Sequence, residues 1–135
     1  MNKLKGIISE IQSDNGISLI TIETSGTNIT AIMVETANAS SFLKHGDNML
    51  VTFKETAMSI GKNISGEFSI RNRFEGEIAH IEKSRLLAKI ILNFNQTQLV
   101  SVITTASAEN LALHVGDYVT GLVKTTDIVL IKTSD

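Results

Sequence analysis

The chain of 135 residues has no cysteine, no proline and no tryptophan, and its aromatic fraction is 4%. Without cysteine there are no disulfides, no thiolate metal sites and no redox chemistry at sulfur. The absence of proline excludes no function. One tyrosine and five phenylalanines are few platforms for stacking bases. There is no basic excess either: the formal net charge is -2. A general nucleic-acid surface needs such an excess to displace counterions. No apolar run approaches the roughly 18 residues of a membrane span. The opening M-N-K-L-K-G is too polar to begin a signal peptide. These absences lead to the expectation of a cytoplasmic protein that engages neither nucleic acid nor membrane.

What the chain does have is a repeat. At an offset of 70 residues, without a gap, Asn2 aligns with Asn72, Gly6 with Gly76, Ile8 with Ile78 and Ile11 with Ile81. Gly46-Asp47 aligns with Gly116-Asp117, Lys54 with Lys124 and Thr56 with Thr126. Elsewhere one apolar residue replaces another, as in Leu4/Phe74, Phe53/Val123 and Met58/Ile128. Two units are expected, residues 1–65 and 66–135. A unit of that size buries little core alone, so packing against its twin or other copies follows.

Strand signals dominate both units. In the first, they predict strands near 3–12, 17–24, 28–35, 48–54 and 57–61. Asn15-Gly16 and Ser25-Gly26 read as turns between them. The alanine-rich segment Thr36–Leu43 reads as a short helix, stopped at His45-Gly46. The second unit repeats the plan, with strands near 73–83, 87–94, 97–104, 118–124 and 127–132 and a helix near 106–113. The expected class is mainly β: two tandem OB-like five-stranded β-barrels, each with one short helix.

Catalytic patterns are missing. The carboxylates are scattered, no nucleophile or phosphate-loop motif occurs, and His45, His80 and His114 lack metal-ligand spacing. Solvated turn positions account for these histidines, and neither an enzyme nor a direct metal site is expected. A binding reading centres on three segments of the second unit. They are Ser69-Ile70-Arg71-Asn72, Thr104-Thr105-Ala106-Ser107 and Lys124-Thr125-Thr126. Hydroxyls and backbone N–H groups at a helix start favour an anion. Arg71 and Lys124 add two positive charges. Donors without an obligatory carboxylate acceptor suit a fully deprotonated tetrahedral dianion. Taken singly, Thr105 or Ser107 is better explained as a helix cap, and each cation as a surface charge; only the combination of the three segments favours a site.

These same segments resemble a known family. S-I-R-N-R-F-E-G, V-I-T-T-A-S and G-D-Y-V-T-G-L-V-K-T-T are similar to motifs of the molybdate-binding TOBE, or Mop, domain. K-E-T-A-M-S-I-G of the first unit resembles the end of such a domain. Two copies with nothing attached resemble the di-domain molbindins. The resemblance implies reversible binding of molybdate or tungstate, for storage or homeostasis, at interfaces between domains or subunits. It implies no cofactor, and a homo-oligomer with a trimer favoured. An alternative is a ligand-responsive regulatory module, like the C-terminal domains of molybdate-dependent regulators or transporter ATPases. The implied oxyanion ligands are Ser69, Arg71, Thr104, Ser107, Lys124 and Thr125. Asn72, Lys54 and Asn2 are secondary candidates, the asparagines with the alternative of capping a local turn. The first unit departs from the pattern: Met1 stands for Arg71, Val34 for Thr104, Ala37 for Ser107 and Glu55 for Thr125. The second unit is therefore expected to carry most of the binding.

Overall fold

The computed structural model describes residues 1–34 and 43–133. In the first unit, β1 (Asn2–Asp14), β2 (Ile17–Thr24) and β3 (Thr27–Val34) form successive hairpins. Both hairpins close on two residues, Asn15-Gly16 and Ser25-Gly26, all four with positive φ. Two such residues make a turn whose twist matches that of the strands, and asparagine and glycine tolerate it. β4 (Asn48–Phe53) returns along β1, and β5 (Ser59–Gly61) follows. The second unit has β6 (Asn72–Lys83), β7 (Leu87–Phe94) and β8 (Thr97–Thr104), then α1 (Thr105–Asn110), β9 (Tyr118–Val123) and β10 (Val129–Lys132). Mainly β with two OB-like five-stranded sheets is thus the observed class.

Several boundaries differ from expectation. The helix expected over Thr36–Leu43 falls, but for its last residue, outside the described residues. The second helix ends at Asn110, three residues early, because Ala112 turns left-handed with φ 49°. Ala112 N–H donates to the Glu109 carbonyl and Leu113 N–H to that of Ala108, which satisfies the last helical carbonyls. Leu113 and Ala108 are both buried, completing the apolar contact of that motif. The strands expected over 57–61 and 127–132 are shorter, because 3-10 turns at Glu55–Ala57 and Thr125–Asp127 precede them.

Those turns redirect the chain. The strand orders are β10-β4-β1-β2-β3 and β5-β9-β6-β7-β8. Each unit therefore gives its last strand to the other unit's sheet. The residues before the crossing strands anchor them: Met58 and Ile128 are buried. Gly121 leaves the room, since a Cβ there would stand 2.6 Å from the Met58 sulfur. The Ser101 hydroxyl donates to the Met58 carbonyl, and the Thr52 hydroxyl to that of Val129 (2.8 Å). At the ends of the exchanged strands, Lys62 pairs with Asp117 (3.1 Å) and Lys132 with Asp47 (3.4 Å), again across units.

One continuous core results. Alternate residues of β1 and β6 point inward, and Phe53 of the first unit stacks on Phe74 of the second at 5.4 Å. Phe74 also meets Phe94 edge-on at 5.2 Å. Burying a ring of this kind stabilises by about 1.5–3 kcal/mol, so the interface is a large part of what holds the small units together.

Candidate functional site

The last ladder pair between β6 and β9 is Asn72 opposite Val123. Continuing that antiparallel register places Arg71 opposite Lys124. Both are exposed, and neither side chain has a hydrogen-bond or ion-pair partner among the described residues. Like charges directly opposite each other on a sheet are destabilising. An anion placed between two cations in that relation would relieve their repulsion. Thr125, half-buried, follows at once in the 3-10 turn, and Ser69 is exposed two residues before Arg71. This corner packs on the other unit, since the turn Thr125–Asp127 lies against β3, which ends at Val34.

The first unit builds the same corner from other residues. Asn2 is opposite Phe53, so Met1 stands opposite Lys54. The turn Glu55–Ala57 lies against β8, the strand that ends in Thr104. A cavity of about 270 Å³ opens there between Met1, Lys54, Glu55, Thr56 and Val102. The Glu55 carboxylate is 3.5 Å from the α-ammonium of Met1.

Within one chain the six expected ligands lie on different elements. Lys124 and Thr125 belong to the corner on β3, with Arg71 opposite Lys124 in register and Ser69 two residues before Arg71. Thr104 and Ser107 lie at the end of β8, on the side of the Lys54 corner. The hydroxyl of Thr104 accepts from the Ser107 N–H (3.0 Å) and donates to the Ser107 hydroxyl (2.8 Å). Thr104 is thus the N-cap of α1, while Ser107 keeps its own hydroxyl hydrogen for an outside partner.

The asparagines do a different job from the one expected. Asn2 and Asn72 cap no local turn. Asn72 is 1% exposed; its Oδ1 accepts from the Thr30 N–H (2.8 Å) and its Nδ2 donates to the Thr30 carbonyl (2.9 Å). Asn2 makes the same two bonds to Val100, both 2.8 Å. Each asparagine thereby clamps the edge strand of the other unit and spends both ends of its amide on backbone. The recurrence of asparagine in both units was the visible signal, but its partner lies 42 or 98 residues away.

Electrostatics elsewhere is structural. The Asp117 carboxyl is held below its usual range, first by the His114 backbone N–H and then by the Lys62 ammonium. Asp47 is lowered by the Lys44 backbone N–H, against an opposing effect of burial, and then by Lys132. His80 and His114 expose most of their side chains, and no cluster of metal-ligating residues occurs among the described residues. A larger cavity of about 410 Å³ lies among Lys5, Glu23, Ser25, Asn48 and Thr133, apart from every residue expected in the site.

Residues 69–130 match the family model of the TOBE domain. The chain is 25% identical over 137 residues to the molybdenum transport protein ModE of Herbaspirillum seropedicae, covering 99% of the chain and 51% of that protein. It thus spans about half the length of that curated relative. Among solved structures, the cytoplasmic molybdate-binding protein ModG, with molybdate bound, superposes with a TM-score of 0.90 at 22% identity, over 96% of this chain and 94% of that one. That likeness shows the fold. A molybdate-binding protein from Sporomusa ovata is 39% identical over 50% of this chain and 100% of its own, with a TM-score of 0.49.

Proposed function

From the match of residues 69–130 to the TOBE domain, we propose that this chain binds molybdate or tungstate reversibly, without turnover, as a cytoplasmic store or buffer. The observation that carries the reading is the facing pair Arg71 and Lys124, unpaired at the end of β6 and β9. The two charges balance a tetrahedral dianion, and charge-assisted hydrogen bonds from guanidinium, ammonium and hydroxyl groups hold its oxygens. Ser69 and Thr125 supply hydroxyls at the same corner. Thr104 and Ser107 of the same chain lie at the other corner, so a full shell takes those residues from a second copy. A homo-oligomer follows, and three copies are favoured by the resemblance to di-domain molbindins.

Calorimetric titration with molybdate, tungstate, sulfate and phosphate tests the reading. Saturable heat with molybdate at micromolar concentration is expected, and its absence overturns the proposal. A hydrogen bond to a charged group contributes about 1.5–3 kcal/mol. Arg71→Ala or Lys124→Ala should therefore weaken binding by roughly 10- to 100-fold, and Lys54→Ala by less. Equal losses from all three would show that the first unit carries the same role.

A second reading is supported by the length of the curated relative, of which this chain matches about half. On this reading the chain acts on a partner once ligand is bound. Pull-down with and without molybdate separates the two, since storage requires no ligand-dependent partner.

A further inference from the structure

The two cross-unit corners share a backbone and differ in charge. Lys54 and Lys124 have nearly the same dihedral angles, φ -68° and ψ 150° against φ -70° and ψ 148°, and a three-residue 3-10 turn follows each. The next side chains therefore stand in equivalent places: Glu55 in one corner, Thr125 in the other. Glu55 lines the cavity of about 270 Å³ together with Lys54 and Thr56. A threonine hydroxyl can donate to an oxyanion. An ionised carboxylate can only accept, and its charge both cancels that of Lys54 and repels a dianion. Met1, opposite Lys54, has an apolar side chain where Arg71 carries a guanidinium, and its α-ammonium is engaged by the Glu55 carboxylate at 3.5 Å.

We infer that Glu55 is a specificity-determining residue that bars fully deprotonated tetrahedral dianions from the Lys54 corner, leaving them to the Lys124 corner. The inference rests on the oxyanion reading above. It adds that the first corner keeps the backbone of its twin and that Glu55 is the side chain that turns a dianion away from it. Changing Glu55 to threonine would give it the Lys-Thr-Thr composition of its twin.

The test is calorimetric titration of the full chain with molybdate, comparing wild type with Glu55→Thr, Glu55→Asp and Glu55→Gln. Circular dichroism checks the fold of each. Glu55→Thr should bind one further molybdate per chain, with the wild-type class changed less than threefold in affinity. Glu55→Asp keeps the charge and should add nothing. Glu55→Gln removes the charge alone and should add a weaker class, and it carries the test if the threonine variant does not fold. Saturable binding by wild type, with the same capacity in the folded Glu55→Thr and Glu55→Gln chains, overturns this inference alone. A wild-type chain with no saturable heat overturns the oxyanion reading and this inference with it.

Discussion

Replacing Asn72 by alanine isolates one of the contacts that tie the two units together. The side chain is 1% exposed and serves both the N–H and the carbonyl of Thr30, itself 7% exposed. Truncation leaves two backbone groups of an edge strand without partners in a space water does not readily reach. Each buried unsatisfied group costs about 1–3 kcal/mol. Removing the amide also removes the cost of burying it, so a net loss of about 2–4 kcal/mol is expected. That is a large share of the roughly 5–15 kcal/mol by which domains are stable. For a chain of this length it corresponds to a fall in Tm of about 6–16 °C. Asn2→Ala breaks the twin contact at Val100, which is only half-buried, so the orphaned groups can find water. About 1–2 kcal/mol is expected there. Asn72→Asp should fare no better than alanine at neutral pH, because one carboxylate oxygen would face the Thr30 carbonyl. Urea unfolding followed by circular dichroism measures all three. An Asn72→Ala loss under about 1 kcal/mol, or an equal or larger loss for Asn2→Ala, would refute the burial argument.

Other consequences can be checked on the same chain. A Cβ at Gly76 would stand 1.9 Å from the Asn93 carbonyl oxygen. Gly76→Ala should cost roughly 3 kcal/mol or more. Gly116→Ala meets open space and only the strain of φ +96°, about 1–2 kcal/mol; a reversed order in urea unfolding would contradict the packing. The folded Asp117 carboxyl lies below its unfolded value, so its contribution is complete above the ordinary carboxylate value of about 3.9 and lost as pH falls through the folded one. Asp117→Asn should flatten the decline of Tm below about pH 4, and an unchanged acid limb would count against the latch to Lys62. Light scattering should give a multiple of the 14.6 kDa chain mass; a strict monomer would remove the second copy that a shared site requires.

Most strands were legible because alternation and turn chemistry are local. Asn15-Gly16 and Ser25-Gly26 specify tight hairpins whatever surrounds them, and the predicted strands over 17–24 and 87–94 match β2 and β7. The ends of the elements were less legible. Nothing in the composition of Glu55–Ala57 distinguishes a 3-10 turn from the start of a strand, and Ala112 takes a left-handed conformation that favours glycine. The exchange of β5 and β10 was invisible for a deeper reason. The two units are similar enough that Ser59–Gly61 would present the same pattern to either sheet. In the site, the residue types that suit an oxyanion could be read directly. Their division between two corners could not, because it depends on which unit's strand lies against each 3-10 turn.

By itself the sequence determined that the chain is two copies of one β unit, and that the copies differ at Met1/Arg71, Val34/Thr104 and Glu55/Thr125. Those are consequences of local pattern and of alignment within the chain. Tertiary structure alone decided that each unit completes the other's sheet, that Asn2 and Asn72 clamp the opposite edge strand, and that the charged corners sit on the opposite unit. The physical reason is that two small cores become one when Phe53 and Phe74 stack. The strands then pair with whichever neighbour that shared core brings to them.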